Sequence, residues 1–380
     1  MIFYLSYNDG PSGIFSSQVI DVVKFIRSEF NIPIRLVAFI SIRNFLKQRR
    51  SIKQELPAAI VLPMVPGIGR WRWNIFSVYC LLVLFRPKLI IGRSVIATQL
   101  ALRSKNPKQR VVYDGRGAIA AEWKEYKVVS DQKLLNEIEG LERSAILDSD
   151  FRIAVSGQLL EFWQTNYGYK GRKHVIIPCT INAAFEHMNL NEQSIARQRK
   201  LIGIKEEDVV FVYSGSLAGW QSFDLLRFYI TPLLSSERKI RILFLTDKDA
   251  NIAKLEVEYP EQVICRKVRP AEVPAMLMCA DYGLLIREQT ITNRVASPVK
   301  FAEYLACGLK VVISDHLGDY SEFIQTHDCG YAFPISFAII KPSQQEKAKM
   351  RGLALNYFTK KIHTKAYSEI MKSGTGNYAI

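Results

Sequence analysis

The sequence predicts an α/β fold: two tandem doubly wound domains facing a cleft, each a parallel sheet with helices on both faces. Three observations predict it. The 380 residues are about two domains' worth of chain, and 48% hydrophobic with 11% aromatic residues is enough to fill two cores. Short runs rich in β-branched residues alternate with longer helical patterns, the arrangement that builds parallel sheets covered on both sides. The alternation starts again after a polar stretch at residues 188–200, so the same architecture is written twice.

In the first half, strands are expected at 2–6, 34–39, 59–62, 89–92, 110–113, 151–155 and 175–177, with helices between them. Pro178 ends the last of these, and the segment to residue 191 has no clear period. The boundary therefore falls there, giving an N-terminal domain of residues 1–185 and a C-terminal domain of residues 186–345. In the second domain strands are expected at 209–213, 240–245, 263–266, 282–286 and 311–313. The tail, 346–380, carries Leu353, Leu355, Phe358, Ile362, Tyr367, Ile370 and Met371 at mixed three- and four-residue spacings. It reads as amphipathic helices packing back towards the N-terminal domain.

Charge is unevenly placed. Of the net +15, residues 1–110 hold +13, with 17 basic against 4 acidic residues, so an anionic partner should meet the N-terminal domain. Arg43, Lys47, Arg49, Arg50 and Lys53 form one cluster. Arg70, Trp71, Arg72 and Trp73 form another that runs into the apolar NIFSVYCLLVLF, and cationic and indole groups bordering an apolar helix are typical of interfacial segments. Arg49, Arg50, Arg70, Trp71, Arg72 and Trp73 are thus expected to touch an anionic membrane surface; a core helix with a solvated basic rim is the alternative. The apolar residues 75–85 are too short for a bilayer span, which needs about 20. The opening MIFYLSYND has no basic region before its apolar run and reads as a strand, not a signal peptide. The six cysteines show no Cys-x-x-Cys or Cys/His ligand spacing, and no nucleic-acid recognition motif accompanies the charge. The expected location is cytoplasmic, peripheral to the inner face of the membrane.

The most informative segment is 282–314, YGLLIREQTITNRVASPVKFAEYLACGLKVVIS. Ser297 suits an N-cap, Pro298 the first helical position and Gly308 the C′ position. The N–H groups of Val299 and Lys300 then carry the positive end of the helix dipole, and the Lys300 ammonium adds a full charge, a combination that suits phosphate. Glu303 lies about 6 Å further along the axis, where a carboxylate can accept hydrogen bonds from both hydroxyls of a ribose. A solvated surface Glu is the alternative, and the apolar neighbours in FAEYLACG weigh against it. Arg287 ends a strand and suits a diphosphate or a structural ion pair. Gly10 and Gly13 in NDGPSGIFSSQ suit an acceptor or phosphate loop, or a plain strand-to-helix turn. YDGRGAIAAEW puts Asp114, Arg116 and Glu122 at the carboxyl end of a strand, where a carboxylate can deprotonate an acceptor hydroxyl or Asp114 and Arg116 can simply pair.

SPVKFAEYLACGLKVVIS resembles the nucleotide-sugar-binding segment of the GT-B fold glycosyltransferases of the group 1 (family 4) class. VVFVYSGSLAGWQSFDLL is similar to the first strand and glycine turn of that family's C-terminal domain. ERSAILDSDFRIAVSGQL with VIIPCTIN resembles the end of its N-terminal domain, and LALNYFTKKIHTKAYSEI resembles its crossing C-terminal helix. The resemblance implies sugar transfer from a nucleotide-diphosphate donor to an acceptor on the N-terminal domain, a lipid-linked or surface-polysaccharide intermediate. It places Glu303 on the ribose and the glycine turn at Gly215 and Ser216 with the helix start at Ser297, Val299 and Lys300 around the diphosphate, where Arg287 and Lys300 are the candidates to supply the charge. Two departures stand out: Val295 occupies the position of the first of two Glu residues common in the family, and Ser216 with Gly219, Trp220 and Gln221 replaces the usual basic pair. Neither donor segment carries an Asp-x-Asp cluster, so no metal or other cofactor is expected. An epimerase or hydrolase of the nucleotide sugar is the alternative, and a basic nucleic-acid-binding protein a weaker one.

Overall fold

A computed structural model of the protein describes every residue except 66, 189–190, 217–221, 237–238, 334–338 and 376–380. The chain divides into two units. The first comprises Met1–Thr180, Val295–Ser297 and Lys360–Ile380, and the second Ile181–Arg294 and Pro298–Thr359.

The first unit is built on seven parallel strands, β1 (Ile2–Tyr7), β2 (Ile34–Ile40), β3 (Ile60–Pro63), β4 (Leu89–Arg93), β5 (Arg110–Gly115), β6 (Phe151–Ala154) and β7 (His174–Ile176). Their order is β3-β2-β1-β4-β5-β6-β7, with Ile2 paired to both Ile34 and Leu89. All six residues of β1, IFYLSY, are buried, as a parallel strand covered on both faces requires. Phe3, Leu5 and Tyr7 enter the core on one side of the sheet and Ile2 and Tyr4 the core on the other. The order reverses between β1 and β4, and in open sheets of this kind a crevice forms beyond the carboxyl ends at that point.

The second unit repeats the plan with β8 (Val209–Ser214), β9 (Ile240–Leu245), β10 (Val263–Arg266), β11 (Tyr282–Leu285), β12 (Lys310–Ile313) and β13 (Gly330–Ala332), in the order β10-β9-β8-β11-β12-β13 and again parallel. Its reversal point lies between β8 and β11. The strand that the sequence does not announce is β13, three half-buried residues with no apolar run. A Cβ at Gly330 would fall 1.9 Å from the Val311 carbonyl oxygen, so the backbones meet there only because the residue is glycine. The polar stretch 188–200 contains a helix, Glu192–Leu201, whose N-cap Asn191 accepts from the Ser194 N–H.

The tail divides between the units, a correction to its expected single packing direction. The helix Gln344–Tyr357 starts with a capping box of Ser343 and Glu346 and sends Met350 and Ala354 into the core of the second unit. Only the helix Thr364–Thr375 joins the first unit, where Tyr367, Ile370 and Met371 share a core with Ile2 and Tyr4. The two apolar sets lie on separate helices, and each set fits one core. Among the described residues, no helix is long and apolar enough to cross a membrane.

Candidate functional site

At the reversal point of the second unit, the helix Val299–Ala306 is pinned across the carboxyl ends of β8 and β11 by Tyr304. Its hydroxyl accepts from the Ser214 N–H at 3.0 Å and donates to the Leu284 carbonyl at 3.3 Å. A Cβ at Gly283 would stand 2.3 Å from the Tyr304 ring, so glycine in β11 is what lets the helix lie this close. Phe301 stacks on Tyr320 at 4.1 Å, and Gly308, at φ +81°, ends the helix in the left-handed conformation expected of a C′ residue.

On this fixed helix the Lys300 ammonium donates to Glu303 at 2.6 Å, with side chains 25% and 10% exposed. The carboxylate is therefore largely withdrawn from water and paired with Lys300. Arg287 follows β11 and is buried; its N–H donates to the Ser314 hydroxyl at 2.9 Å and its Nη1 to the Asn293 side chain at 3.3 Å. The charges of Glu303 and Arg287 both act on the Tyr304 hydroxyl, which burial pushes far up, so the two lie within one electrostatic neighbourhood. Beside them, Gly215 has φ +145° and the Tyr213 hydroxyl donates to the Ser216 carbonyl at 2.6 Å, closing the turn after β8. Gly219, Trp220 and Gln221 lie outside the described residues.

Ser297 is not the N-cap. Pro298 is, with φ −68° and ψ 120°, and Val299 is the first helical residue. The Ser297 hydroxyl instead accepts from the Cys179 N–H at 2.9 Å within the first unit. A proline has no N–H to satisfy and a fixed φ, so it serves as the cap while the serine is engaged elsewhere. The chain's two Asp-x-Asp triplets lie outside the donor segments. Asp150 is held by Lys105, Arg110 and the Val111 N–H; Asp249 caps the helix Ala250–Glu258, and the exposed Asp247 pairs with Lys267 at 2.6 Å.

In the first unit, Asp114 ends β5 and has no solvent exposure. The Tyr4 hydroxyl donates to it at 2.5 Å and Arg116 at 2.8 Å, while Arg93 stands 3.9 Å away and pairs with Asp9 at 2.9 Å. The void beside Asp114 measures about 10 Å³ and is walled by Tyr367 and Ile370. Of the two roles the sequence leaves open, the structure shows the pairing: Asp114, near the end of β5, is held by Arg116 and by Tyr4 from the middle of β1, with no room beside it for an acceptor. Glu122 sits half-buried on the helix Ile119–Glu125. The N-terminus of that helix is capped by Glu142, which the sequence does not flag; its buried carboxylate accepts from the N–H groups of Ile119 and Ala120 and from the Tyr167 hydroxyl, and burial pushes it up to about 7.

One cavity of this unit, about 480 Å³, opens beyond β1 and β4, lined by Tyr7, Asn8, Arg93, Ser94, Trp123 and Asp131 among others. Asn8 and Ser94, at φ +59° and +65°, hold left-handed backbones at the carboxyl ends of these two strands. Strain at non-glycine residues concentrates where function demands a geometry. Asp131 caps the helix Gln132–Asp148 through the Leu134 N–H, and a Cβ at Gly69 would fall 1.9 Å from its other oxygen. None of these residues was singled out from the sequence, because the cavity draws on four separated segments that each read as an ordinary turn. Gly10 lies at ordinary contact distance from Gln48 and Gly13 has open space beside it, so no close backbone approach within the protein demands glycine at either position.

Of the basic and indole residues, Arg49, Arg50, Arg70, Arg72 and Trp73 are exposed. Trp71 is not: it is fully buried, with Arg72 and Arg103 over its ring, and belongs to the core. Arg72 also pairs with Glu137. The helix Asn74–Phe85 that follows buries Val78 and Leu82 but exposes Phe76 (73%), Leu84 (72%), Tyr79 and Val83, a contiguous apolar face beside Trp73. At the other end of the same stretch Ile68 and Gly69 line the cavity.

No family model matches the chain, and no curated protein is similar to it in sequence. Solved structures are similar in fold. A glycosyltransferase from Rickettsia africae ESF-5 has a TM-score of 0.70 at 12% identity, over 99% of each chain. Anabaena Alr3699/HepE, in complex with UDP and glucose, has a TM-score of 0.71 at 15% identity, over 98% of this chain and 100% of its own. WaaG, a glycosyltransferase involved in lipopolysaccharide biosynthesis, has a TM-score of 0.60 at 15% identity, over 99% of this chain and 95% of its own. The likeness is one of architecture: the chain has the GT-B fold, two Rossmann-like units in tandem.

Proposed function

We propose that the protein is a glycosyltransferase that moves a sugar from a nucleotide-diphosphate donor to a lipid-linked or surface-polysaccharide acceptor at an anionic membrane surface. One observation carries the reading: a mostly buried Lys300–Glu303 pair on a helix pinned to the reversal point of the second sheet, in the electrostatic neighbourhood of Arg287. When donor binds, the two ribose hydroxyls become hydrogen-bond donors to Glu303. Lys300 is released to the diphosphate. As the bond between the anomeric carbon and the diphosphate breaks, Arg287, Lys300 and the N–H groups at Val299 and Lys300 take up the charge on the leaving group. The acceptor hydroxyl forms the new bond to that carbon as the old one breaks, and its proton passes to the departing diphosphate.

The 480 Å³ cavity suits the acceptor, with the Trp123 ring offering an apolar face to a sugar and Asp131 accepting from a hydroxyl. Its continuity with the apolar helix Asn74–Phe85 favours a lipid-linked acceptor. Exposed Arg49, Arg50, Arg70 and Arg72 each add about 1 kcal/mol of attraction to an anionic leaflet, which supports a site on the inner face of the membrane. HepE, solved with UDP and glucose, and WaaG, from lipopolysaccharide biosynthesis, support the same donor and acceptor classes. The reaction is metal-independent in this reading, so a chelator leaves turnover unchanged.

A thermal-shift screen of nucleotide sugars, repeated on Glu303→Ala, tests the proposal. One donor class should stabilise the wild-type protein, and the substitution should remove the effect. Undiminished stabilisation would take Glu303 off the ribose, and release of nucleotide without acceptor glycosylation would make the protein a hydrolase or epimerase.

A further inference from the structure

Among the described residues of the second unit, a cavity opens away from the carboxyl edge of its sheet. It measures about 700 Å³ and lies at the amino-terminal edge, where Asp281 immediately precedes β11 and Lys205 lies just ahead of β8. A strand's length, roughly 15–20 Å, separates this edge from Ser214 and Arg287. Five cations line the cavity: Arg199, Lys200, Lys205, Lys341 and Lys347.

The innermost acid offsets only part of this charge, through Arg199 and Lys347, and leaves Lys200, Lys205 and Lys341. Asp281 is buried and already engaged by Arg199 at 3.5 Å, Lys347 at 3.3 Å and the Val210 N–H at 3.0 Å. Arg199 is fixed by the carbonyls of Cys279, Lys205 and Asp208, so it contributes charge to the cavity while its N–H groups hold the fold. The other two acids of the lining, Glu192 and Glu206, are exposed at the rim. Lys341, half-buried, faces Arg199 and Lys347 as well as Asp281 and Asp208, and burial with the two cations pushes its ammonium below the usual range. Ile195, Ile204, Met278 and Pro342 supply an apolar wall. The space is concave and small, so it suits a compact anion with an organic body and not an extended polyanion.

We propose that this cavity is a second ligand site, separate from the donor site, for a small phosphorylated molecule of nucleotide or sugar-phosphate size, bound through Lys200, Lys205 and Lys341. It stands independently of the donor reading, because it uses none of the same residues.

Pyridoxal 5′-phosphate, a phosphorylated aldehyde that condenses with a neutral amine, tests it on the full chain. After incubation at about pH 8 and borohydride reduction, modified lysines are located by peptide mass spectrometry. Lys341 should label faster than exposed lysines such as Lys254, since the neighbouring cations would hold the reagent's phosphate and burial disfavours the charge on its own amine. Inorganic pyrophosphate should protect it, equally well in Arg287→Met, which lies at the donor edge. Lys200→Gln, an exposed change that leaves the fold intact, should weaken that protection about tenfold, the effect of one charge-assisted contact. Protection by a nucleoside monophosphate or by a hexose phosphate then separates the two sources of the phosphate. Labelling spread evenly over the surface lysines, or protection lost in Arg287→Met, would overturn the proposal.

Discussion

Glu303 and Lys300 hold each other in the unliganded protein, yet their substitution should be felt in different kinetic constants. Glu303→Gln removes a charged acceptor of two ribose hydrogen bonds, each worth roughly 1.5–3 kcal/mol, so donor affinity should fall about 10²-fold or more. Those bonds exist equally before and during reaction, and the loss should appear in KM for the donor with kcat little changed. Lys300→Met removes a charge that matters most as the diphosphate departs, so kcat should fall instead. Steady-state kinetics on the pair would show the split; a common fall in kcat for both would remove the ribose from the account. Glu303 was legible because it sits in an otherwise apolar helix. For Asp114 the sequence left both roles open, because an Asp-x-Arg spacing at a strand end looks the same whether it serves chemistry or an ion pair, and its zero exposure favours the pair. Glu142 had no local signal at all, since the N–H groups it caps lie more than 20 residues away. Its carboxyl, ordinarily near 4.5, is pushed up to about 7 in the folded protein, so between those values the folded state binds more proton than the unfolded chain. Stability should therefore decline as pH rises from about 4.5 to 7 and level off above, by roughly 3 kcal/mol in all. Glu142→Gln should flatten that part of the curve in urea titrations; an unchanged slope would show that the carboxylate ionises in place without penalty.

The helix Asn74–Phe85 shows what periodicity can and cannot settle. Its twelve residues are apolar nearly all round, which reads equally as a core helix or an interfacial one, and the basic residues before it fit both. Packing separates the two: Val78 and Leu82 are buried while Phe76 and Leu84 are each more than 70% exposed. Large apolar side chains exposed on one contiguous face mark an interaction surface. Phe76→Ser with Leu84→Ser should leave the melting temperature almost unchanged, because neither side chain is in the core. Binding to vesicles with anionic lipid should weaken about 100-fold, given roughly 1.5–3 kcal/mol for each side chain inserted. Cosedimentation measures it, and equal binding of the double variant would place the membrane contact elsewhere. Strands were the most legible elements because parallel strands covered on both faces are continuous apolar runs, as in IFYLSY of β1 and IRILFL of β9. Gly330–Ala332 escaped because three half-buried residues carry no such run, and Glu192–Leu201 because its one buried side chain is the charged Arg199, fixed by backbone carbonyls, and its start rests on an Asn191 cap.

The tail was legible as helices, and its last helix packs on the first unit as expected while Gln344–Tyr357 does not; the destination of that last helix has a consequence for how the protein unfolds. Lys360–Ile380 belongs to the first unit although the chain reaches it only after completing the second. Tyr367, Ile370 and Met371 are all but fully buried there, and at roughly 1.5–3 kcal/mol each they contribute a total comparable to the 5–15 kcal/mol that holds an ordinary domain folded. A chain ended after Thr359 keeps every residue of the second unit, including the helix Gln344–Tyr357 that packs on its core. Such a chain should lose the cooperative melting of the first unit while the second still melts and still binds the nucleotide donor. Ile370→Ala in the full chain gives the same test in milder form: about 2–5 kcal/mol of destabilisation confined to the first unit, with donor affinity unchanged. Calorimetry with and without donor distinguishes the units, because ligand raises only the transition of the unit that binds it. If the truncated chain kept its full first-unit transition, the last helix would be a passenger on that core; if it lost donor binding as well, the two units would be folding as one.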